Sequence, residues 1–143
     1  MVVILKRGAR AARLFAEVVT AAIRVEVALR RRPLHEVLTT GTKRRYVQPP
    51  GIHPATLERA IKAAYRVLPF ETTCLKLSLV FCRIRRRWGL PAELRIGVQT
   101  TEGAFAAHAW VEDGDGNILT DPLEGFNPVQ LPRSASRDAR ASD

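Results

Sequence analysis

The feature that most constrains this chain is a helical segment that starts after Thr73 and carries its own start, apolar face and stop. Either Thr72 or Thr73 could be the N-cap, and apolar residues recur at helical spacing from there to Trp88. A run of arginines near the end suits the negative end of the helix dipole. Gly89 is a typical C-cap, and Pro91 cannot continue the helix. We therefore predict a mostly buried helix with Cys74 in its first turn.

The segments around this helix predict an α+β fold. Two helices are expected before it, one over residues 8–32 that ends at Pro33 and one from Pro54 to about Leu68. The apolar stripe predicted for the first helix is Leu14, Val18, Ala21, Ala22, Val25 and Leu29. Between these helices, residues 39–53 read as a loop. Strands are expected near residues 93–99, 105–112 and 117–121. The predicted architecture has N-terminal helices and a helix packed on a small antiparallel sheet.

Three residues follow one another in an order that suits nucleophilic catalysis. Cys74 would lie at a helix start, where free backbone N–H groups and the helix dipole stabilise a thiolate. His108 lies in a strand pattern, and Asp121 follows the next one. A thiol, an imidazole and a carboxylate are the nucleophile, base and orienter of a cysteine-type catalytic triad.

The turn at residues 113–116 decides whether the histidine and the aspartate can meet. A two-residue loop at Gly114 and Asp115 would pair Val111 with Ile118 and His108 with Asp121. Directly opposed residues share a sheet face, with Cβ atoms about 4.5–5.5 Å apart. A three-residue loop would shift the register by one residue and send one partner to the other face.

Each of these residues also has a purely structural interpretation. A cysteine among apolar residues is usually a small buried hydrophobe, and Cys82 in the middle of the helix fits that description. The two cysteines are about 12 Å apart along a helix axis, which is too far for a disulfide. A histidine in a strand is often structural, and an aspartate before Pro122 often begins a turn. The combination of the three favours catalysis.

Residues 66–126 resemble the transglutaminase-like cysteine peptidases that serve as leader peptidases in lasso peptide biosynthesis. The matching text includes Thr73-Cys74-Leu75, Arg85-Arg86-Arg87-Trp88-Gly89-Leu90-Pro91, Phe105-Ala106-Ala107-His108-Ala109-Trp110-Val111-Glu112 and Leu119-Thr120-Asp121. Its most specific part is the His-Ala-Trp-Val-Glu block. The His-Ala-Trp sequence also occurs in wider transglutaminase-like proteins.

The resemblance implies a papain/transglutaminase-like fold, a role for each residue and a set of partners. Cys74 would be the nucleophile, His108 the base and Asp121 the orienter, with no cofactor. The substrate would be a ribosomally made precursor peptide, cut between leader and core. A separate winged-helix protein would recognise the leader, and a macrolactam cyclase would act on the released core. Two rivals stay open: another thiol acyl-transfer enzyme, such as a transglutaminase or amidase, and a non-catalytic basic binding module.

The composition and charge of the chain restrict the partners that can be expected. The chain has 143 residues and a formal net charge of +9, which could reflect solvated helix faces or attraction to an acidic partner. Nucleic acid is not expected, because aromatics are few and no binding motif is recognisable. Contact of the basic first helix with an anionic membrane is a less favoured alternative. The scattered histidines and cysteines do not predict a metal site.

We expect three regions in a cytoplasmic protein. Residues 1–50 form an N-terminal helical segment and candidate docking region, residues 51–130 the peptidase core, and residues 131–143 a disordered tail. The low cysteine content suits a reducing compartment, and no signal peptide or membrane-spanning segment is evident.

Overall fold

In the computed structural model, helices precede a small antiparallel sheet, which confirms the predicted α+β fold. The structure describes residues 2–40, 50–120 and 127–129. Its elements are α1 (Val2–Arg31), α2 (Leu34–Thr39), α3 (Pro54–Val67), α4 (Cys74–Arg87), β1 (Glu93–Thr101), β2 (Ala104–Glu112) and β3 (Asn127–Val129). No helix in the described part of the chain is long and apolar enough to cross a membrane.

The core forms where α1 and α3 pack against α4. The predicted stripe of α1 is confirmed, since Val18, Ala21, Ala22 and Val25 are buried while Leu14 and Leu29 pack at the margin. At the far end of α4, the fully buried Trp88 donates its indole N–H to Glu17 of α1 over 3.2 Å. The long first helix is therefore part of the same core as α4.

The predicted start and stop signals of α4 are confirmed. Thr73 is the N-cap, and its hydroxyl accepts a hydrogen bond of 3.2 Å from the Lys76 N–H. At the other end, Gly89 has a φ of 76°. The Gly89 and Leu90 N–H groups donate to the Arg86 and Arg85 carbonyls, which is the paired arrangement of a Schellman motif.

The sheet has the order β2-β1-β3 within the described residues. β1 and β2 form a hairpin in which Thr101 pairs with Ala104, so Glu102 and Gly103 are its two-residue turn. Both turn residues have positive φ, as a type I′ turn requires. β3 pairs with the other edge of β1.

The predicted register of the following turn is wrong. Asp113 N–H donates to the Asn117 carbonyl, and Leu119 N–H donates to the Val111 carbonyl. Three residues therefore separate Asp113 from Asn117, and Val111 lies opposite Leu119 instead of Ile118. The cause is Asp113, whose carboxylate accepts hydrogen bonds from the Asp115 and Asn117 N–H groups and the Asn117 amide. These bonds also hold the pKa of Asp113 below its usual value.

Other predicted segments have mixed outcomes. Residues 117–121 were expected to form a strand, but an isolated bridge between Glu112 and Ile118 occurs instead. The loop was expected to begin at residue 39, but Thr39 is the last residue of the short helix α2, which was not predicted. Residues 41–49, Asp121 and the predicted disordered tail at 131–143 lie outside the described residues.

The C-cap of α4 makes a stability prediction. Gly89→Ala places a Cβ at a φ of 76°, which should cost about 1–2 kcal/mol of unfolding free energy. Gly8→Ala is the matched control, because Gly8 lies within α1 with no heavy atom near its added Cβ, and it should gain about 0.5–1 kcal/mol. Urea unfolding would measure both values. Equal effects of the two changes would contradict this account of the cap.

Candidate active site

Cys74 is the first residue of α4 and its side chain is exposed. The first N–H groups of an α-helix have no partner within the helix. Here the Lys76 N–H donates to the Thr73 hydroxyl. The Cys74 N–H is one of these first N–H groups, at the N-terminal end of α4. A backbone donor beside a nucleophile is a candidate oxyanion site.

An ion pair that sequence reasoning missed holds this end of α4 in place. The Lys76 ammonium lies 2.9 Å from the buried Glu26 carboxylate of α1, and it donates to the Glu71 carbonyl over 3.2 Å. The same lysine therefore joins α1, the lead-in (residues 69–73, just before α4) and the helix start. No local pattern could reveal the pair, because its members are distant in sequence.

The Glu26 carboxylate is also the centre of a small cluster. Arg30 lies 3.2 Å from it on the next turn of α1, and the Arg30 guanidinium stacks over Phe70 of the lead-in at 5.4 Å. The hydrogen bond from Lys76 is the main cause that lowers the pKa of Glu26. Burial, and then the negative charge of Glu26, raise the pKa of Tyr65 to about 12.

The second thiol has a different environment. Cys82 is only 3% exposed, and burial raises its pKa to about 12 despite the nearby Arg86 and Arg85. This confirms Cys82 as a core residue. A neutral buried thiol is a poor nucleophile, so Cys74 is the thiol that chemistry can use.

A buried hydrogen bond joins α4 to the strand that carries His108. The Ser78 hydroxyl donates to the Ala109 carbonyl over 3.2 Å. Ser78 is one helical turn, or about 6 Å, beyond Cys74, and Ala109 is the neighbour of His108. The Ala109 and Val111 carbonyls point to the same edge of β2. At that edge the Val111 carbonyl accepts a hydrogen bond from the Leu119 N–H. Ser78 therefore contacts the edge of β2 that faces away from β1.

The half-buried His108 shares its sheet face with Trp110, while Val111 faces the core on the other side. The two rings stack with centroids 6.3 Å apart. Across the hairpin, His108 pairs with Gly97, which has no side chain to crowd the imidazole. His108 therefore lies on the face of β2 opposite to the one that Val111 turns to the core.

Polar contacts fix the aromatic ring on which His108 stacks. The Trp110 indole N–H donates to Glu112 over 2.9 Å, and Glu112 accepts from Arg95 over 3.0 Å. Arg95 also donates to Glu93 on its own strand. Sequence reasoning missed this network, although the His-Ala-Trp-Val-Glu alternation places His108, Trp110 and Glu112 on one face.

The third predicted residue, Asp121, lies outside the described residues. With the corrected register, the pairing argument that set it opposite His108 no longer holds. The chain just before it is described: the buried Thr120 hydroxyl accepts a hydrogen bond of 3.0 Å from the Val111 N–H. The role of Asp121 stays a prediction.

Comparison with known families decides the superfamily. The model of the transglutaminase-like superfamily matches residues 19–131. The chain belongs to the transglutaminase-like superfamily. Searches of curated proteins and of solved structures find no match. The transglutaminase-like match begins within α1, whereas the predicted domain boundary at residue 50 stays untested.

Cysteine-based acyl chemistry is common in the transglutaminase-like superfamily, which includes peptidases and acyltransferases. As for metals, no three His, Cys, Asp or Glu side chains in residues 2–40, 50–120 and 127–129 cluster closely enough to hold an ion.

The buried ion pair makes a stability prediction with a defined pH dependence. Glu26→Gln should cost about 1–3 kcal/mol of unfolding free energy at pH 7. Folding lowers the pKa of Glu26 below its usual value of 4.5. The ionised carboxylate therefore stabilises the fold at pH values above 4.5. This contribution is lost as pH falls through the lowered pKa. Urea unfolding at pH 7 and pH 3.5 should show the difference between wild type and variant shrinking at the lower pH.

Glu58→Gln is the matched control, since Glu58 pairs with the half-exposed Lys62 one turn along α3. Its effect should stay within about 0.5 kcal/mol. A Glu26→Gln cost as small as that of Glu58→Gln, or one that does not change with pH, would contradict the structural role of the Glu26–Lys76 pair.

Proposed function

We propose that this protein is a cysteine peptidase that removes the leader from a ribosomally made lasso precursor peptide. The observation that carries the proposal is the exposed Cys74 thiol at the start of α4, on a helix bonded through Ser78 to the strand of His108. Superfamily membership supports thiol acyl chemistry. The lasso substrate rests on the motif resemblance of residues 66–126.

The reaction forms and breaks one acyl bond at the thiol. The Cys74 thiolate attacks the scissile carbonyl, and the Cys74 N–H stabilises the developing oxyanion. As the C–N bond breaks, His108 donates to the leaving amine the proton that it took from the Cys74 thiol, and a thioester remains. Water then attacks the thioester while His108 accepts its proton, which releases the carboxylate and restores the thiolate. Asp121 would orient the imidazole in both steps.

The proposal includes the partners implied by the resemblance. A separate winged-helix protein would bind the leader and deliver it, because the described N-terminal residues 2–40 consist of the helices α1 and α2 and contain no such domain. The N-terminal helices are its candidate docking region, and the macrolactam cyclase would use the released core. Co-purification with the recognition protein, without leader binding by this chain alone, is expected. Tight leader binding by the isolated chain would contradict a separate recognition partner.

Mass spectrometry of a precursor peptide tests the reaction directly. The precursor is incubated with the recognition protein and with wild type, Cys74→Ala or Cys82→Ala. We expect two fragments whose masses sum to that of the precursor plus water for wild type and Cys82→Ala, and none for Cys74→Ala. Circular dichroism would confirm that Cys74→Ala is folded. Cleavage by folded Cys74→Ala would rule out the thiol mechanism.

The same spectra separate hydrolysis from acyl transfer. The triad would also permit a transglutaminase or amidase reaction, which yields a new isopeptide bond or a changed side-chain amide instead of a free main-chain carboxylate. A non-catalytic binding module would yield no product while both precursor and recognition protein bind. Either pattern would move the function away from leader cleavage.

Asp121 makes a separate kinetic prediction. If Asp121 orients His108, Asp121→Asn should lower kcat by about a hundredfold or more, with KM little changed. Asp115→Asn is the matched control, because Asp115 is exposed in the nearby turn and should leave kcat unchanged. Equal rates for Asp121→Asn and wild type would remove Asp121 from the triad without affecting the role of Cys74.

A further inference from the structure

A cavity of about 520 Å³ opens between the end of α1, the short helix α2 and the second half of α4. Apolar side chains from all three helices line it, among them Val25, Val37 and Leu79. Arg83, which also lines it, lies about 13 Å along the α4 axis from Cys74. The cavity is therefore separate from the candidate active site.

Arginines surround this apolar lining. Arg24 and Arg31 come from α1, Arg32 directly follows it, and Arg83 and Arg86 come from α4. None of the described lining residues is acidic. Five guanidinium groups in a described lining that contains no carboxylate make a site that attracts anions.

Arg83 is the arginine of this group that has an unsatisfied buried donor among the described residues. Its buried Nε has no hydrogen-bond partner among the described residues. Burial is the main cause that lowers the pKa of Arg83, and the positive charges of Arg24 and Arg87 add to it. A buried donor without a partner costs free energy, and an anion in the cavity would supply that partner. Arg86, by comparison, already donates to the Ala92 carbonyl over 2.9 Å.

We propose that this cavity binds an acidic amphipathic peptide segment of a partner protein. Carboxylates match the planar guanidinium fork in two-point contacts, and leucine-like side chains fit the apolar lining. The volume admits a few side chains and not a whole domain. The chain that follows Thr40 cannot supply the acid, because residues 41–49 contain Lys43, Arg44 and Arg45 but no Asp or Glu. The net charge of +9 would speed the encounter with such a partner.

Fluorescence anisotropy on the full chain tests this site. The probe is a labelled peptide that alternates pairs of leucine and glutamate, and the comparison peptides carry glutamine or lysine in place of glutamate. We expect saturable binding of the glutamate peptide only. Arg24→Ala/Arg83→Ala should weaken that binding at least tenfold. Arg10→Ala/Arg59→Ala removes the same charge from exposed positions outside the cavity and should weaken it less than threefold.

Further variants keep the result interpretable. Arg24→Lys/Arg83→Lys retains the charge and the fold but loses the guanidinium fork, and it should also weaken binding. Cys74→Ala should bind as wild type does, because the cavity acts independently of the proposed peptidase chemistry. Equal losses for the two alanine pairs would show diffuse attraction and overturn the site. Binding of inorganic phosphate or phosphatidylserine vesicles through Arg24 and Arg83, without peptide binding, would overturn the peptide as its ligand.

Discussion

Enclosure of α4 is the constraint on which the rest of the structure depends. Its side chains from Leu77 to Cys82 are all buried, as are Ile84 and Arg85. A helix that is apolar around most of its circumference must be covered on several sides. Helices α1 and α3 and strand β2 provide that cover, so their positions follow from the burial of one element. The exposed thiol at its start is held by the same packing.

Local signals predicted the helices well because those signals act within a few residues. The Thr73 cap, the Gly89 C-cap and the Pro54 start each satisfy backbone groups of their own helix, so the sequence next to them was enough. Helix α2 was missed because it spans six residues and has no side-chain cap. The Asp113 turn was mispredicted because a carboxylate that binds two following N–H groups adds one residue to the loop. That single residue changes every pairing beyond it.

The candidate site was predictable only in part, for a related reason. A cysteine after a capping threonine and a histidine in an alternating strand are visible in the sequence. The contacts that connect their elements join residues far apart in the chain: Glu26 with Lys76, and Ser78 with Ala109. These pairs depend on the packing of α4 against α1 and β2, which no periodicity in either segment encodes. The arginines of the cavity have the same origin, since α1 and α4 each contribute to it.

The separation of the two thiols has a consequence for the oxidation chemistry of the protein. Cys74 and Cys82 are the only cysteines in the chain, and α4 holds them about two helical turns apart, one exposed and one buried. A sulfenic acid formed at Cys74 would therefore have no thiol of its own chain with which to condense. The thiol that resolves it must come from solution or from a second molecule. Under oxidative stress, Cys74 would then form a mixed disulfide with a small thiol or a disulfide with Cys74 of a second copy. A reductant would reverse either product.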